Sequence, residues 1–189
     1  WENFQKKISF LRAHNYIDEH DALNDPAHIL KHIKIEEIFV TELILSGTLE
    51  DLEPNRLYGV MCGLVMGLPR RAKVKKPEDD AWWQLFEQIN SIFEKDIIAN
   101  AEKLVNRETT FTPEVMPLAE RWAEGEDLQM ILDDIDNPTD LSGDLVSGFR
   151  RAKDLVGQLL DVYRDDDQKR DALHSVIQRV SRDEVEVLS

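Results

Sequence analysis

Apolar residues recur along most of this chain at the three- and four-residue spacing that places them on one face of a helix. The clearest example lies between Gly143 and Arg164, a stretch without proline. Its apolar positions are Leu145, Phe149, Ala152, Val156, Leu159 and Tyr163. A polar row with the same spacing lies about 200° around the helix and consists of Ser147, Arg151, Asp154 and Gln158. The pattern predicts a helix of about 33 Å with one buried side and one side open to solvent.

The polar row has two interpretations that the spacing alone does not separate. The helix can be an ordinary surface helix, or its row of guanidinium, carboxylate and amide groups can bind a ligand. Just before this helix, Asn137-Pro138 predicts a turn. The Ser142 side chain is expected to cap the first backbone N–H groups of the helix.

The rest of the chain also has helical patterns. Glu36–Leu45 is rich in β-branched and aromatic residues and could form a strand on propensity alone. Its helical neighbours and the Ser46-Gly47 stop favour a helix instead. Further helices are predicted at residues 2–15, from 54 onward, and at 78–106, 112–124, 126–135 and 165–179. The predicted fold class is all-α, a multi-helix bundle with one long central helix.

Two of these helices carry more specific expectations. In the helix that begins at Pro54, Gly59 and Gly63 are four residues apart and predict close packing against another helix. In the helix at 78–106, Trp83 lies off the apolar stripe. We expect Trp83 to pack in the core, and a position in a groove or at a domain interface is the alternative.

The only cysteine, Cys62, excludes an internal disulfide framework. Its apolar sequence neighbours predict a buried, unreactive thiol. We therefore expect a reducing, cytoplasmic setting. No run approaches the roughly 18 apolar residues of a membrane span, so no membrane partner is expected.

The formal net charge of −15 opposes indiscriminate binding to phosphate groups, so any contact with nucleic acid must be local. Two local basic clusters exist. One lies on the predicted central helix and comprises Arg150, Arg151 and Lys153. The other lies between Leu68 and Pro77 and comprises Arg70, Arg71, Lys73, Lys75 and Lys76. Its flanking prolines favour a solvated linker over a phosphate-binding loop.

Sequence devices for catalysis are absent. The chain has no GxxxxGK[ST], GxGxxG or GxSxG stretch, so no catalytic residue and no cofactor are expected within it. His28 and His32 are four residues apart, a spacing that zinc can use on a helix. Because no glutamate or cysteine completes a ligand set, we expect solvated or partly packed histidines and no metal. The pattern favours a binding or regulatory module over an enzyme.

Several segments together resemble one known family. IEEIFVTELILSGTLEDLEPNRLYGVMCGLV is similar to the TELI-x-x-G-x-(x)-x-L-x-P region of the C-terminal helical domain (DSHCT) of superkiller-type DExH-box RNA helicases. LAERWAEGEDLQMILDDIDNPTDLSGDLVSGFRRAKDLVGQLLDVY resembles the W-x-x-G, G-[DS]-L-[VI] and R-R-x-x-[DE]-L elements of that domain, and IQRVSRDEV resembles its closing I-x-R-D element. The order and separation of these elements make the resemblance specific.

The resemblance implies a domain that closes a ring around single-stranded RNA, with one long ratchet helix facing the RNA path. By resemblance, Gly143–Arg164 is that helix, Arg151 is its RNA-facing arginine and Asp154 is the acidic partner. Arg150 and Ser147 are the other implied nucleic-acid contacts, although family members often have arginine where Ser147 stands. The Leu68–Pro77 segment matches the family poorly.

The resemblance also implies a larger parent protein. Its partners would be RecA-like and winged-helix domains of the same chain, single-stranded RNA and RNA-degradation machinery, and its motor would use ATP and Mg²⁺. The chain begins at Trp1, so we expect a fragment that neither hydrolyses ATP nor unwinds RNA alone. Residues 1–34 are expected to be a helical lead-in and 35–189 the DSHCT-like domain, with the basic loop 68–77 inside it.

Two other functions compete with RNA contact. The first is an acidic protein-interaction module that packs on a partner or on its own motor without touching RNA, which the net charge favours. The second is a metalloenzyme that uses His28 and His32.

Overall fold

A computed structural model describes residues 1–136, 140–182 and 185 of the chain. Within those residues it contains ten helices and one two-stranded sheet, which confirms the predicted all-α class. The elements are α1 (Glu2–Ala13), α2 (Asp25–Leu30), α3 (Glu37–Leu45), α4 (Pro54–Val65), β1 (Lys73–Val74), α5 (Asp80–Phe93), α6 (Asp96–Val105), α7 (Val115–Glu124), α8 (Leu128–Asp133), β2 (Ile135–Asp136), α9 (Ser142–Val162) and α10 (Asp167–Val180).

The centre of the bundle is α4, which packs against α7, α9 and α10. The predicted role of its two glycines is confirmed. A Cβ atom added at Gly59 would lie 2.6 Å from the backbone oxygen of Met116 in α7, and one at Gly63 would lie 2.7 Å from the Met116 side chain. A hydrogen bond of 2.8 Å also joins the Thr112 backbone N–H, just before α7, to the Gly63 carbonyl in α4. Larger residues at either glycine would separate α4 from α7.

Cys62 lies in the same interior and is completely buried. Burial raises the pKa of its thiol, because the thiolate would lose its hydration. The prediction that the thiol is buried is thus confirmed, and the raised pKa disfavours the reactive thiolate form.

The prediction of a helix at Glu36–Leu45 is confirmed by α3, but the single helix predicted at 78–106 is wrong. The chain forms α5 and α6 there, with Glu94 ending the first helix and Lys95 in an extended conformation before the second. A continuous helix over 29 residues would be about 43 Å long and would leave the bundle. The break lets α5 pack on α3 while α6 reaches both α3 and α1.

The prediction of a solvated linker at Leu68–Pro77 is also incomplete. Within that segment β1 pairs antiparallel with β2, with Lys73 opposite Asp136 and Val74 opposite Ile135. Ile135 is buried, and Val74 packs against the core. The short sheet therefore joins the basic segment to the chain just before α9. The turn predicted at Asn137-Pro138 lies outside the described residues.

Candidate nucleic-acid interface

The predicted central helix is α9, a helix of about 32 Å whose apolar stripe faces the bundle. Leu145, Phe149, Ala152, Val156 and Leu159 are all fully buried, as the spacing predicts. Tyr163, the last apolar position, follows the helix and is only partly buried.

The start of α9 differs from the sequence prediction. Ser142 is the first helical residue, and no side chain of the residue before it caps the helix. Instead, the Asp140 carboxylate accepts a hydrogen bond of 2.8 Å from the Ser142 backbone N–H. This bond lowers the pKa of Asp140, because it stabilises the ionised form. The capping group is therefore a carboxylate two residues earlier than expected.

One face of α4 holds α9 in place. The Tyr58 hydroxyl donates a hydrogen bond of 2.9 Å to the Phe149 carbonyl, and the Cys62 sulfur lies 4.0 Å from the Gly148 carbonyl oxygen. Just after α4, Met66 packs so closely on Gly148 that an added Cβ atom would lie 2.3 Å from the Met66 sulfur. These contacts fix both the rotation and the position of α9.

The opposite face of α9 carries the predicted polar row. Ser147, Arg151 and Asp154 are exposed there, as the spacing predicts. Gln158 is only partly exposed, because its side-chain oxygen accepts a hydrogen bond of 2.7 Å from the Lys34 backbone N–H. The open part of the row therefore ends before Gln158, where the segment leading to α3 covers the helix.

Arg151 and Asp154 are one turn apart but do not form an ion pair. Across the part of the chain that the structure describes, neither side chain has a hydrogen bond or ion pair with another residue. Both side chains are exposed, where pairing stabilises an ion pair only slightly. The guanidinium donors and the carboxylate acceptors are thus available to a ligand.

Arg150, the other arginine assigned by resemblance, lies at the edge of this row. It is half-buried, and its Nε donates a hydrogen bond of 3.4 Å to the Val185 carbonyl. The structure therefore brings Ser147, Arg151 and Asp154 together on an open surface and places Arg150 against the C-terminal segment.

A groove of about 430 Å³ runs beside the exposed row. On the α9 side it is lined by Asp144, Ser147, Gly148 and Arg151, and on the other side by residues 66–69. The second wall includes the first two residues of the basic segment, Leu68 and Pro69, so the structure joins two features that are some eighty residues apart in sequence. No pattern in the sequence indicated this contact.

The alternative metal site has no geometric support. Among the residues that the structure describes, no group of three or more His, Cys, Asp or Glu side chains is close enough to share a metal ion. His28 is exposed on α2, and His32 follows the end of that helix. None of the described helices combines the length and apolar character needed to cross a bilayer.

Two elements of the family resemblance contact each other in the fold. The Arg182 guanidinium, from the closing element, stacks on the Trp122 ring with 3.5 Å between its carbon and the ring centroid. It also donates a hydrogen bond of 3.0 Å to the Trp122 carbonyl. The Trp122 indole N–H in turn donates to the Val180 carbonyl over 3.3 Å. These contacts join α7 to the end of α10.

The comparison with known families agrees with these observations. The family model for the DSHCT (NUC185) domain matches residues 20–187. No curated protein sequence matches the chain. Because one family model covers most of this helical bundle, the protein belongs to the DSHCT family, the helicase-associated C-terminal helical domain of superkiller-type helicases.

Proposed function

We propose that this domain contacts single-stranded RNA through α9 in an ATP-dependent RNA helicase and packs against the RecA-like motor of that helicase. The observation that carries the proposal is the Arg151 guanidinium, exposed above a groove on a long helix whose opposite face is fully buried. An exposed donor on a rigid support can hold a passing strand without moving itself.

The chemistry of the row suits a nucleic-acid strand. A guanidinium can stack on a base or bind a phosphate through two parallel N–H groups. Carboxylates repel phosphates but accept hydrogen bonds from ribose hydroxyl groups and base amino groups. Arg151 would therefore hold a base or phosphate, while Asp144 and Asp154 face sugar and base donors.

The size of the row also suits a short piece of a single strand. From Ser147 to Asp154 the helix rises about 10 Å, which corresponds to roughly three stacked nucleotides. A contact of this size is weak alone. Tight binding would need the motor domains to form the other wall of the channel, and ATP and Mg²⁺ would bind to that motor.

The test is Arg151→Ala in the helicase that contains this domain. If Arg151 stacks on a base, RNA binding should weaken by about 1 to 3 kcal/mol, and unwinding should slow. Arg179→Ala is the matched control, because Arg179 is an exposed arginine on α10. Equal unwinding by the Arg151 variant and the control, both well folded, would contradict the proposal.

The acidic surface supports a second candidate, a protein-interaction module without RNA contact. Asp165, Asp166 and Asp167 are all exposed at the start of α10, and the chain carries a net charge of −15. Binding of labelled single-stranded RNA at two salt concentrations separates the candidates. Contact with phosphates weakens as salt rises, whereas a domain without RNA contact shows no specific binding at either concentration.

A further inference from the structure

The basic segment, residues 68–77, connects the α9 groove to a second site. Its first residues line the groove beside Arg151, and its last residues line a pocket against α5. Two contacts hold it along this path: the pairing of β1 with β2, and a hydrogen bond of 3.2 Å from the Trp83 indole N–H to the Pro77 carbonyl. The segment is thus attached to the fold at both its middle and its end.

The charge of this segment contrasts with that of the whole molecule. It carries five positive side chains and no acidic residue, in a chain with a net charge of −15. No ion pair joins any of the five to a carboxylate of the described residues. Arg70, Arg71, Lys73, Lys75 and Lys76 are all exposed. A locally positive, unneutralised surface of this kind favours a negatively charged ligand.

The pocket at the end of the segment is aromatic. Its volume is about 250 Å³. Most of its lining consists of three aromatic residues, three prolines and two lysines, namely Trp82, Trp83, Phe86, Pro77, Pro113, Pro117, Lys75 and Lys76. The remaining lining residues are Val74, Glu114 and Met116. Trp83 is 39% exposed, so the expectation that it packs in the core is wrong and the groove alternative applies. Its ring is held edge-on to Phe86, with 6.1 Å between the centroids.

We propose that the basic segment and the Trp83 pocket form a second contact for single-stranded nucleic acid, continuous with the α9 groove. A strand leaving Arg151 follows the segment, Lys75 and Lys76 contact its phosphates, and one base stacks on Trp83. This inference extends the proposed function of α9 and rests on it.

The Lys76 ammonium now occupies part of the stacking position, 5.5 Å from the centroid of the Trp83 ring. It can give way to a base, because a cation–π contact at an exposed site is weaker than stacking of a base on an indole. The displaced ammonium would then lie beside the backbone of the same nucleotide, where it can form an ion pair with a phosphate.

An acidic peptide with an apolar anchor is the other ligand that fits a basic, aromatic pocket. It would need only the pocket end of the segment. The positive charges begin at Arg70, the residue after the groove-lining Pro69, and continue along the sequence to Lys76, at the pocket. A polyanion with one negative charge per monomer matches a segment whose positive charges are spread along its length. The observations therefore favour a nucleic-acid strand.

The experiment follows the four tryptophan indole N–H resonances of the isotope-labelled chain during titration with a short oligouridylate. We expect the Trp83 resonance to shift and the Trp122 resonance to stay, because Trp122 is fully buried. A shift of Trp83 with an alternating aspartate–leucine peptide and not with the oligonucleotide would overturn the proposal in favour of peptide docking.

Two pairs of variants complete the test through oligonucleotide affinity. Trp83→Ala should weaken binding about fivefold to a hundredfold, while Trp1→Ala, which removes another exposed tryptophan, should not. The double variant Lys75→Ala/Lys76→Ala should weaken binding and reduce its salt dependence. Its control, Lys7→Ala/Lys103→Ala, removes the same charge from exposed positions on α1 and α6.

The results separate this inference from the proposed function. If Arg151→Ala weakens RNA engagement while the Trp83 and lysine variants match their controls, the second contact is overturned and the α9 proposal stands. If the Trp83 resonance and variants respond as expected while Arg151→Ala has no effect, the α9 proposal fails and the continuous path from Arg151 is overturned with it, which leaves a nucleic-acid contact at the pocket alone.

Discussion

Helix α9 and the basic segment form the two walls of one groove, yet they are built in opposite ways. The helix is long and regular, and eight of its residues are buried, so its exposed row is positioned by packing on the other side. The segment is short and irregular, with a two-residue strand and the Trp83 hydrogen bond as its main attachments. A rigid wall with mixed charge therefore faces a loosely held segment whose groove-lining residues are uncharged and whose later residues carry only positive charge. Substitutions of the buried residues of α9 should therefore affect stability more than substitutions in the basic segment.

The largest expected effect is on the rigid wall. Phe149→Ala should lower the free energy of unfolding by about 3–5 kcal/mol, because it leaves a cavity under the exposed row. Phe149 is fully buried and stacks on Trp122 with 5.3 Å between the ring centroids. Urea unfolding measures the change. By contrast, Lys75→Ala in the basic segment should change stability by less than about 0.5 kcal/mol. Similar losses of unfolding free energy from Phe149→Ala and Lys75→Ala would contradict the stated difference between α9 and the basic segment.

The next effect concerns the contact between the two walls. Gly148→Ala should destabilise the fold by about 1–3 kcal/mol, because the new Cβ atom overlaps Met66 at the start of the groove wall. Gly157→Ala, in the same helix, is the control. No atom lies within 4 Å of a Cβ atom added there, so this change should stabilise the protein by about 0.5–1 kcal/mol through helix propensity. Thermal unfolding of both variants tests whether the two substitutions change stability in opposite directions. If both variants are stabilised, the Met66 side chain readily moves away from the new Cβ atom.

A smaller effect is expected on the loosely held wall. Trp83→Phe removes the hydrogen bond to Pro77 but keeps an aromatic ring in the pocket. Stability should fall by less than about 1 kcal/mol, and hydrogen exchange of the backbone amides at residues 73–76 should become faster. Oligonucleotide affinity should fall less than in Trp83→Ala. Unchanged amide exchange would mean that the β1–β2 pairing alone holds the segment.

The smallest effect is a pH dependence confined to the rigid wall. The folded-state pKa of Asp140 is lowered by its hydrogen bond to Ser142, so its contribution to stability is present above its ordinary value of 3.8 and is lost as the pH falls through the lowered value. The basic segment contains no acidic residue or histidine.

Asp140→Asn removes this titration and keeps a side-chain oxygen as acceptor. The wild-type protein should be more stable than the variant at neutral pH and should lose that advantage in acid. Urea midpoints of both proteins across the acid range measure the difference. A difference that does not vary with pH would mean that the Asp140 hydrogen bond does not depend on its charge.

The sequence predictions succeeded where a regular local pattern determines the structure, as in α9 and α3. The α9 stripe was predicted because its apolar residues repeat over about five turns. The α3 helix was predicted correctly because its helical neighbours and its stop signal outweighed β propensity. The break between α5 and α6 was missed, because nothing at Glu94 and Lys95 prevents a helix locally. The change of direction between the two helices is stabilised by the packing of Ile97 and Ile98 into the bundle, which is a tertiary contact.

For the candidate site, the sequence by itself determined which face of α9 is exposed, and hence that Ser147, Arg151 and Asp154 share a surface. It also determined that residues 68–77 are positive within an acidic molecule. Only the tertiary structure placed that segment beside Arg151, tied Gln158 to Lys34 and left Trp83 in an open pocket. The reason is physical: helix periodicity is a local property of consecutive residues, whereas a groove forms between segments whose contact depends on the packing of the whole core.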